Sequence, residues 1–145
     1  MNNVFIYLLF GHLFGDYFFQ NDWMAQNKKK KTFDGFISCM THCFVYTIIV
    51  VAFLMTFGVI ISPLQTILLF LSHYILDRYN IIDTWCDMND IRTWKSEIED
   101  QYNIIDFERS VLIKDSINIS FGTFVNIVQD NTLHMLLMWL ILILL

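Results

Sequence analysis

The chain has 145 residues, 56% hydrophobic and 17% aromatic, with 16% charged and a formal net charge of −5. That balance is too apolar for an ordinary water-soluble domain of this length, and the acidic charge argues against nucleic-acid binding, which needs clustered cations along one face. One proline and five glycines leave few turn residues, so the expected architecture is all-α. It is an integral membrane helical bundle of about four helices, the third partial, in a single membrane domain over residues 1–145 with a polar insertion at 80–116.

The first apolar stretch runs from Val4 to Phe19 and ends in Gln20, Asn21, Asp22 and Trp23, the last suited to a membrane interface. It lacks the basic start and small-residue cleavage site of a secretory signal and carries His12 and Asp16 where a signal core would be apolar, so it is expected to be retained. Gly11 and Gly15 stand at GxxxG spacing beside that pair, which turns the polar groups towards a packed helix and away from lipid. The run Lys28 to Lys31 follows. By the positive-inside bias it places this loop on the cytoplasmic face, and phosphate binding is the weaker reading of the run.

Phe36 to Ile61 is the strongest spanning candidate and holds His42 as its ionisable base. Cys39 and Cys43 lie one turn apart beside it, as small buried residues or, less simply, as soft metal ligands. Pro63 ends this helix after Ser62. The stretch Leu64 to Leu76 is short for a span unless its helix continues through Asp77 and Arg78, and a tilted or partial span is expected. From Asn80 to Ser116 the composition turns acidic and water-facing, with Trp85 and Trp94 placed to hold it against headgroups. Ile117 to Leu145 is long enough to span with tilt. If all of these segments cross, the acidic insertion is cytoplasmic like the lysine run, and both ends of the chain lie outside.

All four histidines fall in apolar stretches, and a carboxylate stands four residues from His12 (Asp16), His73 (Asp77) and His134 (Asp130). An ionisable group inside such a segment costs roughly 2.5–3.5 kcal/mol, so it persists mainly when paired, wet or functional. Residues four apart share a helix face, so each pair presents imidazole and carboxylate together. Counted from the cytoplasmic ends, the pairs and His42 fall at comparable depth, which allows one centre. Imidazole and carboxylate suit zinc first, with manganese or iron as alternatives. His12, His42, His73 and His134 are the expected metal ligands, with Asp16, Asp77 and Asp130 ligating, orienting an imidazole or acting catalytically. Gln20 and Asn27 are placed to hold a substrate, which the depth suggests is a lipid-linked or other phosphoester.

One His–Asp pair alone is most often an interhelical hydrogen bond that fixes packing; the repetition favours metal or proton chemistry. Two other classes fit the same residues. A proton- or ion-conducting oligomer would use the His and Asp groups as a relay, although their confinement to one half of the bilayer counts against it. A non-catalytic membrane factor would dock a host protein through the acidic loop. Membrane lipid is the expected partner, and the GxxxG face suits a homo-oligomer.

Four motifs carry a resemblance: GHLFGDYFFQNDWMAQNK, THC, SHYILDR and QDNTLH. In them the chain resembles an uncharacterised family of bacterial and phage membrane proteins, a domain of unknown function, over nearly its whole length; Asp83 to Asp115 carries none of the motifs. The resemblance implies a helical protein of the bacterial inner membrane whose recurring polar positions are here His12, Asp16, Gln20, His42, His73, Asp77, Asp130 and His134. The chain is more loosely similar to inner-membrane metal-dependent hydrolases, which implies metal-dependent hydrolysis. It has Thr41-His42-Cys43 where those carry Thr-His-Ser and lacks their His-Arg, a departure that touches hydrolase chemistry more than metal binding.

Overall fold

A computed structural model describes residues 3–79, 81–88 and 109–145, with the backbone alone at 83, 86, 87 and 109–123. Among the described residues the regular structure is helical and no strand occurs. The chain divides into two compact units, Met1–Asn80 with Leu133–Leu145, and Ile81–Thr132.

In the first unit, α1 (Val4–Leu13) runs directly into a π-helical turn, Phe14–Phe18, closed by the Phe19 N–H donating to the Phe14 carbonyl at 3.1 Å. The stretch expected as one regular helix therefore changes winding where Asp16 sits. The polar end of that stretch forms its own short helix, α2 (Asp22–Asn27), because the Asn21 side chain caps it by accepting from Met24 N–H at 2.9 Å. Thr32 caps α3 (Phe33–Thr56) in the same way, accepting from Gly35 N–H at 3.1 Å, so this helix starts earlier than the apolar run alone suggests. It also ends earlier, because Gly58 adopts φ of +76°, a left-handed conformation that stops the helix.

Pro63 opens α4 (Pro63–Tyr79). Ahead of it Ser62 and Gln65 cap each other, with Ser62 N–H donating to Gln65 Oε1 at 2.8 Å and Gln65 N–H to Ser62 Oγ at 3.2 Å. The helix continues through Asp77 and Arg78, and its 17 residues reach about 25 Å. Helix α3 is the centre of the unit and packs against α1, α2 and α4. The core joins Leu8, Tyr46, Val50, Leu54, Leu69, Met135 and Met138. Around it the outer faces are apolar, with Phe10, Phe44, Ile48, Ile67 and Ile75 exposed.

Two further helices are α5 (Ile81–Met88) and α6 (Arg109–Leu144). The part of the expected insertion from 89 to 108, Trp94 included, lies outside the described residues. Among the described residues two segments are long and apolar enough to cross a membrane, α3 and the Phe124–Leu144 part of α6.

Candidate metal centre

Helical spacing on each element aims a polar group at the same place in the first unit. His12 comes from α1, Asp16 from the π turn, His42 and Tyr46 from α3, His73 and Asp77 from α4, and His134 from the C-terminal part of α6. The four histidines are 0–2% exposed and Asp77 is 4% exposed, in a shell whose outer face is apolar. Close approach depends on glycine: a Cβ on Gly15 would stand 2.6 Å from Tyr46 Cδ2, and one on Gly11 3.4 Å from the Val50 backbone. The GxxxG face thus receives α3.

The centre of the cluster is a quartet of atoms. His42 Nε2 and His73 Nε2 are 3.0 Å apart. Asp16 Oδ1 stands 3.1 Å from the first and 3.4 Å from the second. Asp77 Oδ2 repeats those distances, at 3.1 and 3.4 Å. Protons alone satisfy this set poorly. A carboxylate oxygen only accepts, and a neutral imidazole offers one N–H, so if one Nε2 donates to the other, the second turns a lone pair towards two carboxylate oxygens. Asp16 Oδ1 is buried and makes no hydrogen bond. A cation between the four removes every one of these conflicts. At metal–ligand bonds of about 2.1 Å, neighbouring donors stand roughly 3.0 Å apart in an octahedron and about 3.4 Å in a tetrahedron, the range of the nitrogen–nitrogen and nitrogen–oxygen distances given above; the ligand atoms of Asp16, His42 and His73 all lie within 4.8 Å of one another.

The groups around the quartet hold its members in place. His12 Nδ1 lies 3.3 Å from Asp16 Oδ2 and 2.8 Å from the Tyr46 hydroxyl, which donates to Met138 Sδ at 2.9 Å. The Tyr46 ring stacks on His73 with centroids 3.5 Å apart and planes 9° from parallel. His73 Nδ1 meets His134 Nδ1 at 3.0 Å, and His134 Nε2 lies 3.8 Å from Asp77 Oδ1. An ion on Nε2 of His73 would leave its Nδ1–H to donate to His134, the arrangement that fixes tautomer and ring angle in metal-bound histidines. Cys43 is buried, with a sulfur within 4.8 Å of ligand atoms of His73 and Asp77, and Cys39 Sγ is 4.0 Å from Cys43 Sγ.

At the edge of the cluster the Lys28 ammonium donates to Asp77 Oδ2 at 2.8 Å and to Gln20 Oε1 at 2.9 Å. The fold brings His12, Asp16, His42, His73, Asp77 and His134 together, with Gln20 one hydrogen bond further out. Asn27 is used by the turn itself, donating to the Trp23 carbonyl at 2.7 Å and accepting from Lys30 Nζ at 2.8 Å. Asp130 lies one turn before His134 on α6, in the second unit, so its candidacy rests on that spacing. Sequence reasoning missed Tyr46, and it read Lys28 with its run chiefly as a topology signal, with phosphate binding as the weaker reading. The signal for Lys28 was its place as the first residue of the lysine run, next after the short helix that follows Gln20. Tyr46 had one as well: it follows His42 by four residues.

These features define a helical protein with, among the described residues, two helices long and apolar enough to cross a membrane and a buried His/Asp cluster able to hold a metal ion. Residues 4–145 match the model of a family described as protein of unknown function (DUF3307), and the chain belongs to that family. No curated protein and no solved structure matches it.

Proposed function

We propose that this chain is an integral protein of the bacterial inner membrane that holds a divalent transition-metal ion between Asp16, His42, His73 and Asp77 and uses it to hydrolyse a phosphoester. The observation that carries the reading is the quartet, in which two imidazole nitrogens 3.0 Å apart each stand 3.1–3.4 Å from an oxygen of Asp16 and an oxygen of Asp77, and in which Asp16 Oδ1 is buried without a hydrogen bond. His12 and His134 act as positioning residues behind Asp16 and His73, where sequence reasoning had placed them as ligands. The membrane reading rests on the apolar outer face over a polar interior, the inverse of a soluble fold. The lysine turn marks the cytoplasmic side.

Four protein donors would close a tetrahedral zinc site, so a catalytic role calls for an ion that takes five or six ligands and would keep positions open beside Asp16, His42, His73 and Asp77. The donor types suit zinc, manganese or iron. Such an ion supplies Lewis acidity for attack by water near neutral pH. In hydrolysis the water oxygen joins phosphorus and gives up a proton, the ester P–O bond breaks, and the leaving oxygen takes a proton. Asp16 Oδ2, 3.3 Å from His12 Nδ1, stands beside the quartet to hold the first of these protons.

A second reading has its own observation. His134, His73 and His42 form a chain through Nδ1–Nδ1 and Nε2–Nε2 contacts of 3.0 Å each, the connectivity of a proton relay. One reconstitution separates the two. Protein in liposomes is stripped with a chelator, reloaded with zinc or manganese, and assayed for phosphoester hydrolysis and proton flux. Hydrolysis that disappears on stripping and returns on reloading supports the enzyme. Metal-independent proton flux without hydrolysis replaces it with the relay.

A further inference from the structure

Lys28 is held in a built position. Its backbone N–H closes α2 by donating to the Met24 carbonyl at 3.0 Å, and its carbonyl accepts from Arg78 Nη1 at 3.0 Å. Arg78 also bonds the Lys30 carbonyl, which ties the lysine turn to the base of α4. From this anchorage the Lys28 side chain, 13% exposed, reaches Asp77 Oδ2, the same oxygen that faces His42 and His73 in the quartet. An ion held by the quartet and the Lys28 ammonium therefore bear on one carboxylate oxygen. Two cations side by side in a site of reduced dielectric repel each other, and an anion that touches both converts that repulsion into binding.

We propose that Lys28 and the bound ion together receive a phosphoryl group, so the ligand of this centre is a phosphate-bearing molecule held between metal and ammonium, with Gln20 beside it. This rests on the metal reading above. A phosphoryl group fits better than a carboxylate because it carries more charge and spreads it over several oxygens, enough to meet an ion and a lysine at once. Gln20 accepts from Lys28 through Oε1, which leaves its amide N–H2 as the group able to donate to a phosphoryl oxygen. Lys28 also lies just beyond the first apolar stretch and close to the exposed Trp23, at the level where lipid phosphates sit. The phosphate can thus come from a lipid headgroup or from a soluble molecule.

The test uses the full chain loaded with Mn2+, whose paramagnetism broadens the 31P signal of phosphate close to it. One arm adds inorganic phosphate to protein in maltoside micelles; the other places the protein in bilayer discs containing phosphatidic acid. The ion content of wild type, Lys28→Met and Lys28→Arg is measured alongside, with Lys29→Met as control. The expected result is metal-dependent broadening weakened at least tenfold by Lys28→Met, largely kept by Lys28→Arg and Lys29→Met, with unchanged ion content. Broadening in the first arm identifies free phosphate as a ligand, and broadening confined to the second identifies the headgroup. Ion-loaded protein that binds no phosphate in either arm, or binds it equally well in Lys28→Met, overturns the proposal while leaving the metal centre intact. Wild-type protein that takes up no ion overturns both, and the ion content shows which has failed.

Discussion

His42 and His73 turn their Nε2 atoms to each other at 3.0 Å with an oxygen of Asp16 and one of Asp77 within 3.4 Å of both, and the residues behind them determine how firmly that geometry is kept. His12 backs Asp16, and the Tyr46 hydroxyl lies within hydrogen-bond distance of His12 while its ring covers His73. Losing an outer partner of this kind lowers metal affinity roughly 10–100-fold. His12→Ala and Tyr46→Phe are each expected to weaken zinc binding within that range in a competition titration against a chelator of known affinity, with stoichiometry unchanged. Full loss of binding in His12→Ala would make His12 a ligand; unchanged affinity in both would remove the positioning role. The pairs His12/Asp16 and His73/Asp77 were legible because a four-residue spacing survives any regular helix. Tyr46 was not, and Lys28 was legible only as one member of a run read chiefly for topology. A lysine within a run does not stand out, and a tyrosine inside an apolar helix reads as packing, until the tertiary contacts select one lysine and one hydroxyl.

Among the elements, the π turn at Phe14–Phe18 does most to shape the site, since such turns insert an extra residue and are frequent where side chains must be re-aimed. It carries Asp16, and its Gly15 lies under the Tyr46 ring. Gly15→Ala forces its new methyl to 2.6 Å from Tyr46 Cδ2, whereas Gly11→Ala meets its nearest atom at 3.4 Å. The first is expected to cost about 1–3 kcal/mol of stability by overpacking and to weaken metal binding; the second should cost less on both counts. Thermal unfolding of the two variants in detergent checks this, and equal behaviour would contradict the packing described. A break between α3 and α4 was legible from Pro63, although α3 ends ahead of Gly58 and Pro63 opens α4, and so was the helical character of every apolar stretch. The π turn and α2 were not, because both are set by local hydrogen bonds, the Phe14 carbonyl to Phe19 and the Asn21 side chain to Met24, which hydropathy does not register.

At the level of the whole molecule, apolar side chains such as Phe10, Phe44 and Ile67 face outwards while histidines and an aspartate occupy the interior. Protein produced in bacteria is therefore expected to stay with the membrane pellet after alkaline carbonate washing and to need detergent for release; recovery in the wash would contradict the membrane reading. The length of the apolar stretches made this legible, whereas the meeting of α1, α3, α4 and α6 in one cluster could only be inferred from matched depths. The measurement that reaches furthest is elemental analysis of protein purified from membranes in maltoside without chelator, beside a His42→Ala, His73→Ala double variant of demonstrated helicity. One equivalent of zinc, manganese or iron in the wild type and a trace in the variant is the predicted result. A metal-free wild type that takes up none of these ions on reconstitution would contradict the metal centre.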